Sequence, residues 1–194
     1  MARVGSSDGE VSPAIVEACR RGDREALRTL YEAHKDQVYS IAFYFFHGDA
    51  AAASDVTQQV FLKLIGGIGR YRGDSAFSTW LYRIVFNACV DRSRRHRSEV
   101  AAEPAALELV PDAVISHEAL LARREAARSV QDAVASLPPK LRIAILMRYF
   151  EELSYTEMAT ALNCSIGTVS SRLSRGHRLL ARKLAPLRNG LLEG

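Results

Sequence analysis

Arginine and small hydroxyl side chains recur near the C-terminal end of the chain at spacings that could contact a nucleic acid. At about 100° per residue, a helix beginning near Ser165 would carry on one face Thr168, Ser171, Arg175, Arg178 and Arg182. Guanidinium groups donate to phosphate oxygens and to guanine edges, and hydroxyl groups can reach either. The pattern therefore predicts a helix that enters a DNA groove.

Two short helical patterns joined by a polar turn would position that face. Ser154 and Glu157 have the spacing of a capping box, and an apolar face follows in Met158, Ala159 and Leu162. The Asn163-Cys164-Ser165 segment interrupts the pattern, and Ser165 is suited to cap the second helix. In that helix the residues expected to point inward are Ile166, Val169, Leu173 and Leu180. Together these features predict a helix-turn-helix.

Charge is distributed unevenly along the 194 residues, whose formal net charge is +4. Residues 70–97 contain seven Arg against two Asp, a local net of +5. Residues 165–188 contain five Arg and one Lys with no acid, a local net of +6. Between them, residues 98–127 hold six acids against two Arg, a local net of −4. The distribution indicates two anion-binding surfaces separated by an acidic connector, with solvated helix faces as the alternative for each basic run.

The sequence predicts an all-α protein of two small helical domains, joined by an acidic flexible linker, with the helix-turn-helix in the second. Helices are predicted at Ile15–Cys19, Ala26–Phe46, Val56–Ile65, Phe77–Arg95, Asp112–Ser136 and Lys140–Phe150, with Asp49–Ser54 as a connector. The predicted divisions are a disordered N-terminus (1–12), the first domain (13–97), the linker (98–112), the second domain (113–186) and a tail (187–194).

Catalytic, cofactor and metal sites have no recognisable pattern in the sequence. The five His are scattered, no Ser or Cys nucleophile has a partner suggested by spacing, and the glycines of residues 67–73 lack the spacing of a dinucleotide-binding loop. The three Cys are far apart and are expected to be reduced thiols. There is no secretory signal and no stretch of about 20 apolar residues. We therefore expect a soluble cytoplasmic protein that is not an enzyme, inserts into no membrane, and needs no cofactor or metal.

Two segments resemble one family. One segment closely resembles the C-terminal domain of bacterial sigma factors of the extracytoplasmic-function (ECF) type, within the sigma-70 family. It reads SLPPKLRIAILMRYFEELSYTEMATALNCSIGTVSSRL. DVTQQVFLKL, followed by RYRGDSAFSTWLYRIVFNACVDRSRR, is similar to the N-terminal domain of the same family, in the same order. The resemblance implies an RNA polymerase subunit that directs promoter recognition, DNA melting and transcription initiation. The alternative is a stand-alone helix-turn-helix regulator, which leaves a basic helix with Phe86 and Asn87 unexplained.

The resemblance implies that the helix from Asp55 to Leu64 binds the coiled coil of the largest subunit of core RNA polymerase. Apolar spacing turns Val56, Val60 and Leu64 toward the core. The residues expected to contact polymerase are Asp55, Gln58, Gln59 and Lys63, with Phe61 as an apolar anchor. Composition alone would also fit an ordinary solvated face. Family members usually carry Glu where this chain has Gln59.

The resemblance further implies that the helix from Phe77 to Arg95 and the loop from Gly69 to Ala76 read the −10 promoter element. The outward side of the helix is predicted to carry Thr79, Arg83, Phe86, Asn87, Val90 and Arg94, and the expected −10 contacts are Arg72, Ser75, Arg83, Phe86, Asn87 and Arg94. Bases of a separated strand stack on aromatic side chains, and the loop would hold a flipped base. Trp80 is predicted to pack in the core rather than contact DNA.

For the −35 element the expected contacts are Thr168, Ser171, Arg172, Arg175 and Arg178, with Arg175 directed at a guanine. Many family members have Lys or Arg where this chain has Ser170.

Members are often held inactive by an anti-sigma factor placed against both domains, which makes such a protein a candidate partner. A separate hypothesis, from charge alone, is that the acidic linker mimics nucleic acid and suppresses DNA binding by the free chain.

Overall fold

A computed structural model describes the backbone of residues 11–100 and 119–192, and the side chains of residues 11–95 and 127–185. Within these ranges the chain forms α-helices and one 3₁₀ turn, and no strand. The helices are α1 (Pro13–Arg20), α2 (Arg24–Phe45), α3 (Ala50–Gly67), α4 (Phe77–Val100), α5 (Ala119–Ala135), α6 (Pro139–Tyr149), α7 (Tyr155–Leu162) and α8 (Ile166–Leu192); the 3₁₀ turn is Ile68–Arg70. The prediction of an all-α fold is confirmed.

Side-chain caps set where the first three helices begin. Ser12 Oγ accepts from the backbone N–H of Ile15 at 3.3 Å, ahead of the proline that opens α1. Asp23 caps α2 in the same manner, accepting from two backbone N–H groups. Asp49 Oδ1 accepts from the backbone N–H of Ala52 at 2.9 Å and so starts α3. The prediction of a connector at Asp49–Ser54 is wrong, because all of its residues except the first are helical. The cap and the alanines at 50–53, which are good helix formers, explain why the helix begins so early.

The N-terminal helices pack around aliphatic and aromatic side chains of α2, α3 and α4. α3 lies along α2 and also against α4, while α1 contacts α2 and the 3₁₀ turn. The buried side chains of this bundle include Leu30, Val38, Ile41, Phe45, Val56, Val60, Leu64, Leu81 and Val85. The predicted inward stripe of α3 is therefore confirmed. α4 extends to Val100, beyond the expected end of the first domain.

The C-terminal helices form a second bundle, in which α8 packs against α5, α6 and α7. Its buried residues include Ile143, Met147, Met158, Val169 and Leu173. Gly176 permits the close approach of α8 to α6, because a Cβ at this position would lie 3.1 Å from Ile145 Cγ1. The close packing of these helices fixes the orientation of the exposed face of α8.

The two bundles are in contact, through α7 against α4 and through α6 against α2 and α4. Residues 101–118, which hold most of the predicted acidic linker, lie outside the described residues, as do residues 1–10 of the expected disordered N-terminus. The exact domain boundaries therefore remain predictions.

Candidate nucleic-acid interface

The helix-turn-helix is built by the hydrogen bonds that the sequence predicted. Ser154 Oγ accepts from the backbone N–H of Glu157 at 3.2 Å, and Glu157 Oε2 accepts from the backbone N–H of Ser154 at 2.8 Å. The Ser154 hydroxyl also donates to Glu157 Oε2 at 2.5 Å, and this bond, followed by the one from the Ser154 backbone N–H, lowers the pKa of the Glu157 carboxyl below its ordinary value. Asn163 ends α7 in the left-handed conformation at φ 48°, and Ser165 Oγ then accepts from the backbone N–H of Thr168 at 3.2 Å. The turn thus fixes the angle at which α8 leaves α7.

The exposed face of α8 holds the predicted basic side chains. Arg175 folds back along the helix, with Nε donating to the Ser171 carbonyl oxygen at 3.2 Å and Nη2 to Ser171 Oγ at 3.4 Å. Arg178 and Arg182 are exposed, whereas Arg172 and Thr168 are half-buried. The described part of α8 contains no acidic residue that could neutralise these arginines, so this face can bind a polyanion.

Ile166 departs from the prediction that it points inward, because 51% of it is exposed. It is the first residue of α8, and the contact of α8 with the core begins one turn later, at the buried Val169. Ile166 instead lines a shallow groove beside the turn, together with Thr156, Ala159, Thr160, Asn163, Cys164 and Ser165.

The polar side of α3 is joined to α4 by side-chain contacts. Asp55 lies 3.7 Å from Arg92, and Lys63 lies 3.6 Å from Asp91. Arg95 Nη2 donates to Gln59 Oε1 at 3.1 Å. Three of the expected polymerase-binding residues, Asp55, Gln59 and Lys63, therefore share one surface with the polar side of α4, while Gln58 is exposed.

Phe61 cannot serve as an exposed anchor on α3, because only 6% of it is exposed. Its ring packs edge-on against Tyr31 of α2, with ring centroids 4.7 Å apart. The exposed apolar side chains on this helix are Leu62 and Ile65, at 63% and 49%. The sequence held the signal for both, since neither falls on the stripe of Val56, Val60 and Leu64.

On α4 and the preceding loop, the expected polar contacts remain accessible. Arg72, Arg83, Asn87 and Arg94 are exposed. Ser75 is half-buried, and its carbonyl oxygen accepts from the Tyr71 hydroxyl at 2.7 Å. Gly73 adopts a φ of 79°, a backbone conformation that would be strained for a residue with a side chain. The bond from Tyr71 to Ser75 thus helps to shape the loop, which carries Arg72 at its surface.

The expected exposure of Thr79 and Phe86 is wrong, because both are buried, Phe86 at 2% exposure. They lie on the side of α4 where Tyr82 meets Glu151 of the C-terminal domain, with the Tyr82 hydroxyl 2.5 Å from Glu151 Oε2. Sequence periodicity could not reveal that a second domain covers this side. Trp80 packs against Tyr71 and Phe77, in agreement with its expected place at the core.

Among the residues that the structure describes, no three or more His, Cys, Asp and Glu side chains cluster in a way that could hold a metal ion. Burial raises the pKa of the Cys89 thiol to about 12, which suits an unreactive core cysteine. None of the helices within the described ranges combines the length and the apolar character that a membrane crossing requires.

Two family models match the two bundles. Sigma-70 region 2 matches residues 30–99, which include α3, the loop and α4. Sigma-70 region 4 matches residues 127–180, which include the helix-turn-helix. The two matches agree with the two segments that carried the resemblance in the sequence.

Proteins with similar sequences or folds are also sigma factors. RNA polymerase sigma-H factor of Pseudomonas aeruginosa is 38% identical over 187 residues, covering 92% of this chain and 96% of that protein. ECF RNA polymerase sigma factor SigW of Bacillus subtilis is 30% identical over 181 residues, covering 89% and 96%. The sigma factor RpoE, solved in complex with the anti-sigma factor NepR from Bartonella quintana, shares the fold, with a TM-score of 0.63 at 20% identity over 81% of this chain and 96% of that chain. This chain belongs to the sigma-70 family of bacterial RNA polymerase sigma factors, in the extracytoplasmic-function group.

Proposed function

We propose that this chain binds core RNA polymerase and directs promoter recognition, DNA melting and transcription initiation. The observation that carries the proposal is the pair of exposed basic surfaces, on α4 and on α8, within the region 2 and region 4 matches. Such a protein acts as an initiation factor and not as an enzyme. Its place of action is the cytoplasm, where the polymerase works on the chromosome.

The C-terminal domain reads the −35 element in the major groove with α8. Arg175 releases Ser171 and donates to a guanine edge, while Thr168 and Ser171 reach a base or a phosphate. Arg172, Arg178 and Arg182 contact phosphates and set the register of the helix. Many relatives carry a cationic side chain where this chain has Ser170. We therefore expect its preference for a −35 sequence to differ from theirs.

The N-terminal domain opens the −10 element with α4 and the loop before it. Arg83 and Arg94 neutralise the backbone of the separated strand, and Asn87 hydrogen-bonds to a base edge. Arg72 and Ser75 hold a flipped base in the loop, at a cost of a few kcal/mol of unstacking. Phe86 is 2% exposed, so it can add a stacking surface only after the side chains that bury it have moved.

The surface of α3 binds the coiled coil of the largest polymerase subunit. Its polar contacts are Asp55, Gln58, Gln59 and Lys63, and its apolar contacts are Leu62 and Ile65 in place of the buried Phe61. Exposed aliphatic side chains of this kind gain free energy when a partner buries them. RpoE from Bartonella quintana was solved in complex with an anti-sigma factor. A comparable inhibitor is a further proposed partner of this chain.

The test is transcription in vitro from a promoter defined by mapping transcript starts after overexpression. The chain should direct specific initiation only when core polymerase is present. A stand-alone regulator would instead bind its site tightly by itself and add nothing to purified core enzyme. Failure to initiate with any core polymerase at mapped starts would contradict the proposal.

Arg175→Ala separates base reading from general affinity. We expect it to relax discrimination at one position of the −35 element by about 1–3 kcal/mol. Arg128→Ala on α5 is the matched control, since Arg128 is also exposed in the same domain. Equal weakening on all promoter sequences would make Arg175 a phosphate contact.

A further inference from the structure

The loop before α4 is held against α1 by one arginine. Arg20 is the last residue of α1, and its Nη2 donates to the backbone carbonyl oxygen of Tyr71, the first residue after the 3₁₀ turn. Its Nη1 lies 3.1 Å from Glu17 Oε2, one turn earlier in the same helix, which orients the guanidinium. Val16 and Cys19 are buried, so α1 is itself fixed to the N-terminal bundle. The start of the loop is therefore tied to a packed helix.

Tyr71 also closes the loop upon itself. Its backbone N–H donates to the Ile68 carbonyl oxygen at 3.2 Å, and its hydroxyl donates to the Ser75 carbonyl oxygen at 2.7 Å. Residues 72–74, which are exposed, are the segment between these two tied positions. So short a segment between fixed ends has few conformations left, and it carries Arg72.

An aromatic cluster supports the ring of Tyr71. That ring lies edge-on to the ring of Phe77, with centroids 5.6 Å apart, and its centroid is 5.4 Å from that of Trp80. Phe77 is the first residue of α4 and is 2% exposed, and its ring lies 5.5 Å from that of the buried His34 in α2. Packed aromatic pairs add to stability beyond the area that they bury. Tyr71 is thus held through its carbonyl by α1, through its hydroxyl by the loop and through its ring by α4.

These contacts bear on the residues proposed to hold the flipped base. Arg72 follows Tyr71 directly in the chain, and Ser75 is the residue whose carbonyl oxygen accepts from the Tyr71 hydroxyl. Neither Arg20 nor Tyr71 is itself one of the proposed DNA contacts. A loop that becomes ordered only on binding loses conformational entropy at that moment, so a loop fixed beforehand binds more tightly.

We propose that Arg20 and Tyr71 are positioning residues, which hold the −10 loop in the shape that receives a flipped base before DNA arrives. The proposal rests on the proposed function and deepens it, because it names what preorganises that site. α1 then takes part in opening the promoter through the backbone of the loop, without touching DNA. The bond from Arg20 reaches a backbone carbonyl, which every residue type at position 71 would supply. The second tie needs the hydroxyl of Tyr71, which a phenylalanine would lack.

The first experiment measures the order of the loop without DNA. NMR relaxation gives backbone order parameters for residues 72–74, which we expect near the rigid value of about 0.85 in the unaltered chain and below about 0.6 in Arg20→Ala. Tyr71→Phe, which changes no charge, should lower them as well. Arg21→Ala is the matched control, since Arg21 is the exposed arginine next in sequence, and it should match the unaltered chain. A loop already flexible in the unaltered chain, or unchanged order parameters in Arg20→Ala, overturns the proposal.

The second experiment measures what the loop does to a base. The complex of each variant with core polymerase binds a fluorescent single strand that carries the −10 element of a mapped promoter. A matched strand is abasic at the position where removal of the base weakens binding by the unaltered complex most. We expect Arg20→Ala and Tyr71→Phe to bind the intact strand about tenfold more weakly and the abasic strand less than twofold more weakly. Equal weakening on both strands would make Arg20 a phosphate contact and overturn its positioning role.

The double variant tests whether the two residues act through one loop. Arg20→Ala combined with Tyr71→Phe should lose little more affinity for the intact strand than either single variant, because either change already releases the loop. Losses that add would mean two independent contacts and would contradict the proposal. Thermal unfolding by circular dichroism confirms that each variant is folded. If the unaltered complex does not distinguish the two strands, the proposed function of the loop fails, and if it does while the variants lose nothing, only the positioning role fails.

Discussion

Leu62→Ala should weaken binding to core polymerase without weakening the fold. Complete burial of a leucine side chain contributes about 1.5–3 kcal/mol. Since 63% of Leu62 is exposed in the free chain, a partner that covers it gains roughly 1–2 kcal/mol. That free energy corresponds to a dissociation constant raised about 5- to 30-fold. The measurement is equilibrium binding of the fluorescently labelled chain to core enzyme.

Two further variants separate docking from stability. Val130→Ala removes an aliphatic side chain that is 45% exposed on α5, and it should leave polymerase affinity unchanged. Phe61→Ala should lower the free energy of unfolding by about 3–5 kcal/mol, because Phe61 is buried against Tyr31. Denaturant unfolding reports that loss, and Leu62→Ala should show almost none. Affinity of Leu62→Ala within twofold of the unaltered chain would refute the reasoning that α3 docks through its exposed aliphatic side chains.

Three other changes test the helix-turn-helix domain. Gly176→Ala should lower the free energy of unfolding by about 1–3 kcal/mol, since its Cβ would meet Ile145. Gly167→Ala should not destabilise, because a Cβ there would have only the Ser165 hydroxyl near it, at 3.8 Å. Similar effects of the two changes on unfolding in urea would contradict this packing. Glu157 has a lowered pKa, so its stabilising contribution is present above the ordinary carboxyl pKa and is lost as pH falls through the lowered value. The unfolding free energies of the unaltered chain and Glu157→Gln should therefore converge in acid, and a constant difference would exclude the ionised cap. Arg178→Ala should reduce the salt dependence of DNA binding by about one unit of slope at every sequence, and a sequence-selective loss would instead make it a base contact.

Local chemistry made the helix ends predictable. The capping box of Ser154 and Glu157, and the cap at Ser165, depend on residues three apart in the chain, so the sequence contains all the atoms that form them. The same holds for the inward stripe of α3, because a helical period relates Val56, Val60 and Leu64 directly. Predictions failed where burial depended on distant elements. Thr79 and Phe86 are buried on the side of α4 where Tyr82 meets Glu151, and the local pattern of α4 does not encode where the domain that carries Glu151 lies.

In the candidate site, too, the local sequence predicted some features and contacts with distant elements decided others. Exposure of Arg83, Asn87, Arg94, Arg175 and Arg178 followed from helical phase alone. Phe61 was misplaced because its burial comes from packing against Tyr31 of α2, a contact that the local pattern of α3 does not encode. Glu151 and Arg142 had no local signal, since their partners Gln37, Tyr82 and Phe45 lie in the other domain.

The contacts between α3 and α4 have a thermodynamic consequence. Three pairs, Asp55 with Arg92, Lys63 with Asp91 and Gln59 with Arg95, connect the proposed polymerase surface to the helix that we propose reads DNA. When polymerase draws on the α3 members of these pairs, the electrostatic environment of α4 changes with it. Linkage then requires that DNA bound to α4 alter the affinity for polymerase by the same factor. A promoter would thus act as an effector of subunit assembly, with each promoter sequence setting how long the chain is retained on the enzyme.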